Sequence, residues 1–496
     1  MRRADGDGIA RDGAQPRAAG AGQRRVGSDG SACGPETARR RDDLGALRED
    51  IDRCLRCGAC QAVCPVYREE RREGSVARGR IRLALELLDG RLEPTEEMAR
   101  CFDACTSCGR CAAECPAGVR ADEIIMAARA ELVRRRGVPW VQRAVFSGLK
   151  ARRLFGAGLR LAARTQVVAL RRVDGRPDLR RARLPVGLDA RRVVAPLARV
   201  PLHERVATDR RSRGSVARVS SARPALRALF FPGCLISYVY PEIGEALVRV
   251  LAAHGIETVV PAEQQCCGLP ALVHGDVETA RELAHEQVTR LLDASADVIV
   301  TACATCGISL KRTFGELLGD DPQTAMPAAE LARRTVDVTE LLSERVEQMP
   351  PPGRIEVRVT YHDPCHLVRG QGIFRQPRDL IAAVAGAELV EMIAPGICCG
   401  GAGSFSLTHP DLSLAIGARK VEDILATGAD LVTTDCPGCV MQLTDALHQR
   451  GSALPVLHVV QLLDVAHRSS DAAGGPGEGQ RAVVRAEAAG VWRPAE

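Results

Sequence analysis

The chain has 496 residues, enough for about three domains at roughly 150 residues each. Its 26% charged and 46% apolar residues are those of an ordinary globular protein and argue against wholesale disorder or a fibrous fold. Aromatic residues are only 3%, too few for a base-stacking or carbohydrate-stacking surface, so nucleic acid is not an expected partner. The 20 cysteines are too dilute for a small disulfide scaffold. With no apolar stretch in MRRADGDGIARDG to act as a signal peptide, they point to a reducing, cytoplasmic setting in which closely spaced thiols mean metal or redox chemistry. No apolar run reaches 18 residues, so membrane contact is expected to be peripheral at most.

In chain order, residues 1–42 are Arg, Gly, Ala and Asp without apolar periodicity and are expected to form a disordered tail, including the isolated Cys33. Residues 43–133 contain CLRCGACQAVCP and CTSCGRCAAECP, both C-x2-C-x2-C-x3-C-P and displaced by 51 residues. That spacing supplies three sulfurs from one tight loop and a fourth from elsewhere, as a four-iron cubane requires. In two-cluster ferredoxins the fourth cysteine of each run serves the other cluster, which groups Cys54, Cys57, Cys60 and Cys115 in one 4Fe-4S set. Cys105, Cys108, Cys111 and Cys64 form the second. Zinc fits duplicated triplet-plus-one spacing poorly. Cys101, four residues before Cys105, is expected to be a buried thiol.

Residues 134–223 hold 24 Lys plus Arg against 5 Asp plus Glu, a net of +19 in a chain whose total is +6. Runs such as WVQRAVFSGLKARRLFGAGLRLAART have helical apolar spacing, so a basic helical linker is expected. It is either a solvated connector or a cationic docking face for an acidic protein or anionic lipid.

A second duplication follows, over 224–350 and 351–468. Cys234, Cys266, Cys267, Cys303 and Cys306 recur as Cys365, Cys398, Cys399, Cys436 and Cys439, displaced by 131 to 133 residues. RALFFPGC, DVIVTAC, RVTYHDPC and DLVTTDC place cysteine just past apolar, strand-like runs, the position at which open α/β sheets build sites. Adjacent cysteines diverge along an extended chain and suit a multi-iron cluster better than one zinc ion. His362, Asp363 and His366 flank Cys365 and are read either as groups tuning a cluster or as turn and capping residues. Neither GAGLRLAAR nor GGAG completes a dinucleotide fingerprint, so no flavin or nicotinamide site is expected on this chain and no catalytic residue is assigned. Residues 469–496, with GGPGEGQ, are expected to be a second tail.

The five-cysteine pattern resembles the CCG, or cysteine-rich, domain, and the longer connection between the two ferredoxin runs resembles the helical ferredoxin module of fumarate reductase relatives. Two ferredoxin runs followed by two CCG domains resemble the iron–sulfur subunits of glycolate oxidase, D-lactate dehydrogenases and anaerobic glycerol-3-phosphate dehydrogenase, over about residues 45–465. CCGGAGSFSLTHPDL is most similar to the glycolate and lactate group. The resemblance implies a multidomain fold: a helical two-cluster 4Fe-4S domain and two tandem α/β CCG domains. It further implies one or two additional clusters in the CCG sets, FAD on a partner 2-hydroxyacid dehydrogenase subunit, and a quinone or other carrier as acceptor. In heterodisulfide reductase, CCG domains act on a disulfide, and the complete Cys436–Cys439 pair keeps a thiol or disulfide reductase role open.

Overall fold

The computed structural model describes residues 43–184, 187–212, 226–262, 266–346 and 353–471. The two expected tails, 1–42 and most of 469–496, lie outside them. Every described residue belongs to one unit of the chain, Ala38–Glu496.

The N-terminal module is helical. After each cysteine triplet begins, a glycine in the left-handed region, Gly58 (φ 87°) or Gly109 (φ 69°), reverses the chain and starts a short helix, Ala59–Val63 or Arg110–Ala113. Pro65 then opens helix Pro65–Glu70, for which Cys64 is the N-cap, its sulfur accepting from the Tyr67 amide. Helices Ala77–Leu88, Glu96–Asp103 and Ala121–Arg136 enclose a core of Ile81, Ala84, Leu87, Phe102, Ile124 and Ile125.

The basic segment forms the expected helices, Trp140–Lys150, Arg152–Ala169 and Leu202–Ser212. It also contains an antiparallel sheet of β1 (Leu170–Val173), β2 (Arg176–Ala182) and β3 (Val193–Val194), which the helical expectation did not include. Asp174-Gly175 makes the β1–β2 turn, with Gly175 at φ 71°. The segment is docked on its neighbours. Buried Arg192 donates to Ser413 Oγ (2.8 Å) and Gln442 Oε1 (2.5 Å) and pairs with Asp445 (2.9 Å). The first two helices nevertheless leave Trp140, Val141, Val145, Leu154, Leu161, Val167 and Val168 exposed.

Two copies of one α/β unit follow. The first sheet comprises β4 (Leu226–Phe231), β5 (Ile256–Val259), β6 (Val298–Thr301) and β7 (Thr335–Asp337), all parallel and ordered β5-β4-β6-β7. The second comprises β8 (Val357–Tyr361), β9 (Ala387–Leu389), β10 (Leu431–Thr434) and β11 (Val456–His458), parallel and ordered β9-β8-β10-β11. In both, the strand order reverses between the first and third strands, and the crevice at their carboxyl ends is where such sheets place sites. Helix Pro241–Ala253 of the first unit packs on helix Val459–Asp471 of the second. Helix Ala304–Ile308 crosses Cys365–Gln371 at Gly307 and Gly370, where a Cβ would lie 2.7 Å from Gln371 and 2.5 Å from Ile308. Among the described residues no helix is long and apolar enough to cross a membrane.

Candidate iron–sulfur centres

The chain brings the expected cysteines together in four groups. Cys54, Cys57, Cys60, Cys111 and Cys115 line one cavity with Ile81, Pro116 and Val119. Cys64, Cys105, Cys108 and Cys111 line a second cavity with Pro65, Val66 and Ile125. The second cavity takes three sulfurs from one run and a fourth from the other, and the first takes three from one run with Cys111 and Cys115 from the other, so each offers at least the four thiols a cubane needs. Cys57 and its neighbour Leu55 are exposed, so the first cavity lies at the surface, whereas Cys108 is buried.

Two arginines hold the loop before Cys105. Buried Arg80 donates to the Cys101 (2.6 Å) and Ala104 carbonyls (3.1 Å). Buried Arg129 donates to the Phe102 (2.7 Å), Cys105 (2.8 Å) and Val273 (2.9 Å) carbonyls. Their positive charges sit beside the second cavity, where bound thiolates are anionic. Sequence reasoning passed over both. Arg80 had a signal: it falls on the same helical stripe as Ala77, Ile81 and Ala84 and so faces inward. Cys101 lies against Gly74 and lines neither cavity, but it is half-buried rather than the buried thiol expected.

In the first CCG unit, Cys234 follows β4 and Cys303 follows β6, on either side of the crevice, and Cys303 caps helix Ala304–Ile308. Thiol–thiol hydrogen bonds link Cys234 to Cys266, Cys266 to Cys267, Cys267 to Cys306 and Cys306 to Cys303. Gly233, at φ 64°, admits this packing, since a Cβ there would sit 2.7 Å from Cys306 Sγ. The second unit repeats the arrangement: Cys365 to Cys398, Cys398 to Cys399, Cys399 to Cys439 (3.7 Å) and Cys439 to Cys436. Gly400 N–H also donates to Cys398 Sγ (3.4 Å). The two sets meet, because Cys303 and Cys436 are themselves hydrogen-bonded and Ala304 N–H donates to the Asp435 carbonyl (3.3 Å).

The second CCG set also adjoins the ferredoxin-type module. Arg369, one helical turn after Cys365, donates to the Cys108 carbonyl (2.7 Å) and to the Gly396 carbonyl (2.9 Å). The Cys108 thiol is pushed up to about 12, first by burial and then by the negative field of Cys398. Burial likewise raises Cys111. By contrast, hydrogen bonds from Cys365 and Cys399 hold Cys398 well below the ordinary thiol range, and bonds from Cys266 and Cys306 do the same for Cys267. A buried set containing both kinds of thiol is suited to losing protons as it takes up metal.

Of the three residues flanking Cys365, Asp363 is structural: Arg378 grips it through both oxygens (2.9 and 3.0 Å). His366 Nδ1 meets Thr305 Oγ1 (3.2 Å) across the junction of the two units. His362 is buried, and burial pushes its imidazole down to about 3, so the ring is neutral.

Comparison with known proteins agrees with this geometry. The 4Fe-4S dicluster domain matches residues 50–119, and the CCG cysteine-rich domain matches 228–311 and again 359–444. The chain is 29% identical to the "probable glycolate oxidase iron-sulfur subunit" of Bacillus subtilis, over 83% of this chain and 92% of that one. It is 34% identical to "lactate utilization protein A" of Shouchella clausii, over 47% of this chain and 97% of the relative. Similarity to a fumarate reductase (CoM/CoB) subunit of Methanothermobacter marburgensis is higher, at 37%, but covers 49% of this chain, which spans only 47% of that relative's length.

Proposed function

Because the chain belongs to the family of CCG-domain iron–sulfur subunits that includes lactate utilization protein A and the glycolate oxidase iron–sulfur subunit, we propose that it serves a flavin-dependent 2-hydroxyacid dehydrogenase. A partner flavoprotein oxidises glycolate or D-lactate, and this chain carries the electrons toward a quinone or other carrier. Membership makes the chain an iron–sulfur electron-transfer subunit of an oxidoreductase complex. Iron–sulfur clusters, when bound, supply one-electron carriers between a two-electron flavin and an acceptor.

One observation carries this reading: the cysteine sets adjoin in a row. The cavity of Cys54, Cys57, Cys60 and Cys115 opens at the surface, and the cavity of Cys64, Cys105, Cys108 and Cys111 lies next to it and shares Cys111 as a wall. The Arg369 bond joins that cavity to the second CCG set, which meets the first at Cys303 and Cys436. On this reading Cys54, Cys57, Cys60 and Cys115 bind one cubane, Cys64, Cys105, Cys108 and Cys111 the other, and the ten CCG cysteines one or two further clusters. The exposed Cys57 edge faces the flavoprotein. Helices Trp140–Lys150 and Arg152–Ala169, with exposed apolar side chains in a segment of net +19, offer a peripheral contact for anionic lipid.

The test is anaerobic purification with the flavoprotein, followed by substrate titration. At least about eight irons per chain are expected, with cluster signals that bleach on adding glycolate or D-lactate only when the partner is present. Stoichiometric zinc without iron, or no bleaching by either acid, would overturn the reading. A second reading, a thiol or disulfide reductase, draws on the completeness of both five-cysteine sets. It predicts that a thiol substrate alone perturbs the CCG signals, whereas the electron-transfer reading predicts no such change.

A further inference from the structure

The two CCG sets are not surrounded alike. Displacing Cys234 onto Cys365 by 131 residues lays Phe231 of the first unit onto His362 of the second. Both side chains are buried at the carboxyl end of the first strand of their sheet, 2% and 1% exposed. Where the first unit has a ring with no donor atom, the second has an imidazole. Its amide is fixed by the Thr433 carbonyl (2.9 Å), which continues the β8–β10 pairing by one residue. The ring hydrogen-bonds the Pro395 carbonyl, just before the Cys398–Cys399 pair. Nδ1 is buried and has no hydrogen-bond partner among the described residues. A ring nitrogen and the sulfurs of Cys399 and Cys439 all lie within 4.8 Å of one another.

We propose that His362 is a ligand of the second CCG centre, its Nδ1 bonding an iron of the cluster held by Cys365, Cys398, Cys399, Cys436 and Cys439. This rests on the reading that the second CCG set holds an iron–sulfur cluster. A metal-bound imidazole characteristically gives its other N–H to a carbonyl, which fixes the tautomer and aims the free lone pair at the metal. His362 offers a nitrogen free for that role: Nδ1 is buried without a partner among the described residues, and a ring nitrogen lies within 4.8 Å of the Cys399 and Cys439 sulfurs. An inert core histidine would instead leave a buried nitrogen with no partner, at a position that the first unit fills with a phenyl ring at no such cost. The imidazole would add a neutral nitrogen donor that the first unit lacks, so the two centres differ in ligation although the cysteine pattern is the same.

The experiment uses the full chain, purified anaerobically with its partner and grown with either natural-abundance or 15N-labelled histidine. Pulsed EPR of the reduced protein is expected to show a directly bonded nitrogen on one cluster signal, changing from 14N to 15N with the label. In His362→Phe, which copies the first unit, this coupling is lost. Phe231→Leu in the first unit leaves the coupling in place. If the wild-type protein shows no histidine-sensitive coupling on any cluster signal while its iron content indicates loaded CCG sets, the proposal is wrong. Zinc in place of iron at the second set, found by metal analysis, instead overturns the cluster reading beneath it. The isotope comparison needs no mutant, so a variant that fails to fold does not protect the proposal.

Discussion

The two CCG units share strand order, crevice and five cysteines, yet they line those cysteines with different chemistry. Around the first set stand Phe230, Phe231 and Ala302; the matching positions of the second are Tyr361, His362 and Asp435. Tyr361 O–H donates to Asp435 Oδ2 (2.7 Å), His458 approaches the same carboxyl at 3.7 Å, and burial raises Asp435 well above the usual carboxylate range. At these three positions the second set has a phenol, an imidazole and a carboxyl where the first has apolar side chains. Duplication kept what is needed to hold metal and let the surroundings diverge. Those surroundings set potential and access, so two copies of one fold can serve as successive rather than equivalent stations.

Their positions differ as well, and this gives the largest expected effect. The second set adjoins the ferredoxin-type module through Cys108 and Arg369. Cys108→Ser should remove about four irons per chain and abolish substrate-driven reduction of both CCG sets, measured by iron assay and by EPR during titration with partner and substrate. Reduction of either set at the wild-type rate would break the proposed order. Next in size, Cys399→Ser should leave the first CCG set loaded but unreduced, whereas Cys267→Ser should leave the second set reducible. Equal effects would make the units parallel branches.

Backbone conformation separates the units too. Gly233 has φ 64° with Cys306 Sγ directly beneath it, while its counterpart is Pro364 at φ −63°. Gly233→Ala should cost about 1–2 kcal/mol from the left-handed conformation alone and reduce iron at the first set only. Thermal unfolding together with iron content checks this; loss of iron at both sets would mean that the two sites assemble as one. Arg369→Ala removes two charge-assisted hydrogen bonds to carbonyls and is expected to cost about 2 kcal/mol. It should also slow reduction of the second set without lowering iron. Unchanged reduction kinetics would show that the Cys108 contact is only structural.

Much of this was legible in the cysteines. Their spacing pointed to two neighbouring groups of ferredoxin-type thiols, because the loop geometry of C-x2-C-x2-C is local, and the eight thiols line two adjoining cavities. The parallel sheets were legible from apolar runs ending at cysteine. Less visible was anything depending on contacts across the chain. Asp174-Gly175 marked the β1–β2 hairpin, but the abundance of arginine around it obscured strands whose faces are not apolar. Arg129, Arg192 and Arg369 look like members of a solvated basic population, and only tertiary packing shows their guanidinium groups committed to carbonyls and side chains of other units. His362 was visible as a residue near Cys365, but its approach to the Cys399 and Cys439 sulfurs was not.

The smallest expected effect concerns the seam on the far side from the sulfurs. His254 ends helix Pro241–Ala253 of the first unit and lies against His467 of the second, ring centroids 5.1 Å apart. Burial, and secondarily His467, lowers His254 to about 4, below the ordinary histidine value of about 6.5. The folded state therefore favours the neutral ring. The associated stability is fully present above about pH 6.5 and is lost as pH falls toward 4, because the unfolded chain then binds the proton more readily. Full linkage over that interval would amount to about 3 kcal/mol, but the ring is only half-buried and solvent screening reduces it to about 1 kcal/mol. His254→Leu should remove this component, so the difference in denaturant midpoint between wild type and variant should shift in favour of the variant between pH 7.5 and pH 5. Cluster loss in acid affects both proteins equally and cancels in the difference. A pH-independent difference would mean that the seam does not sense protons and that acid acts on the two units only through their sulfur side.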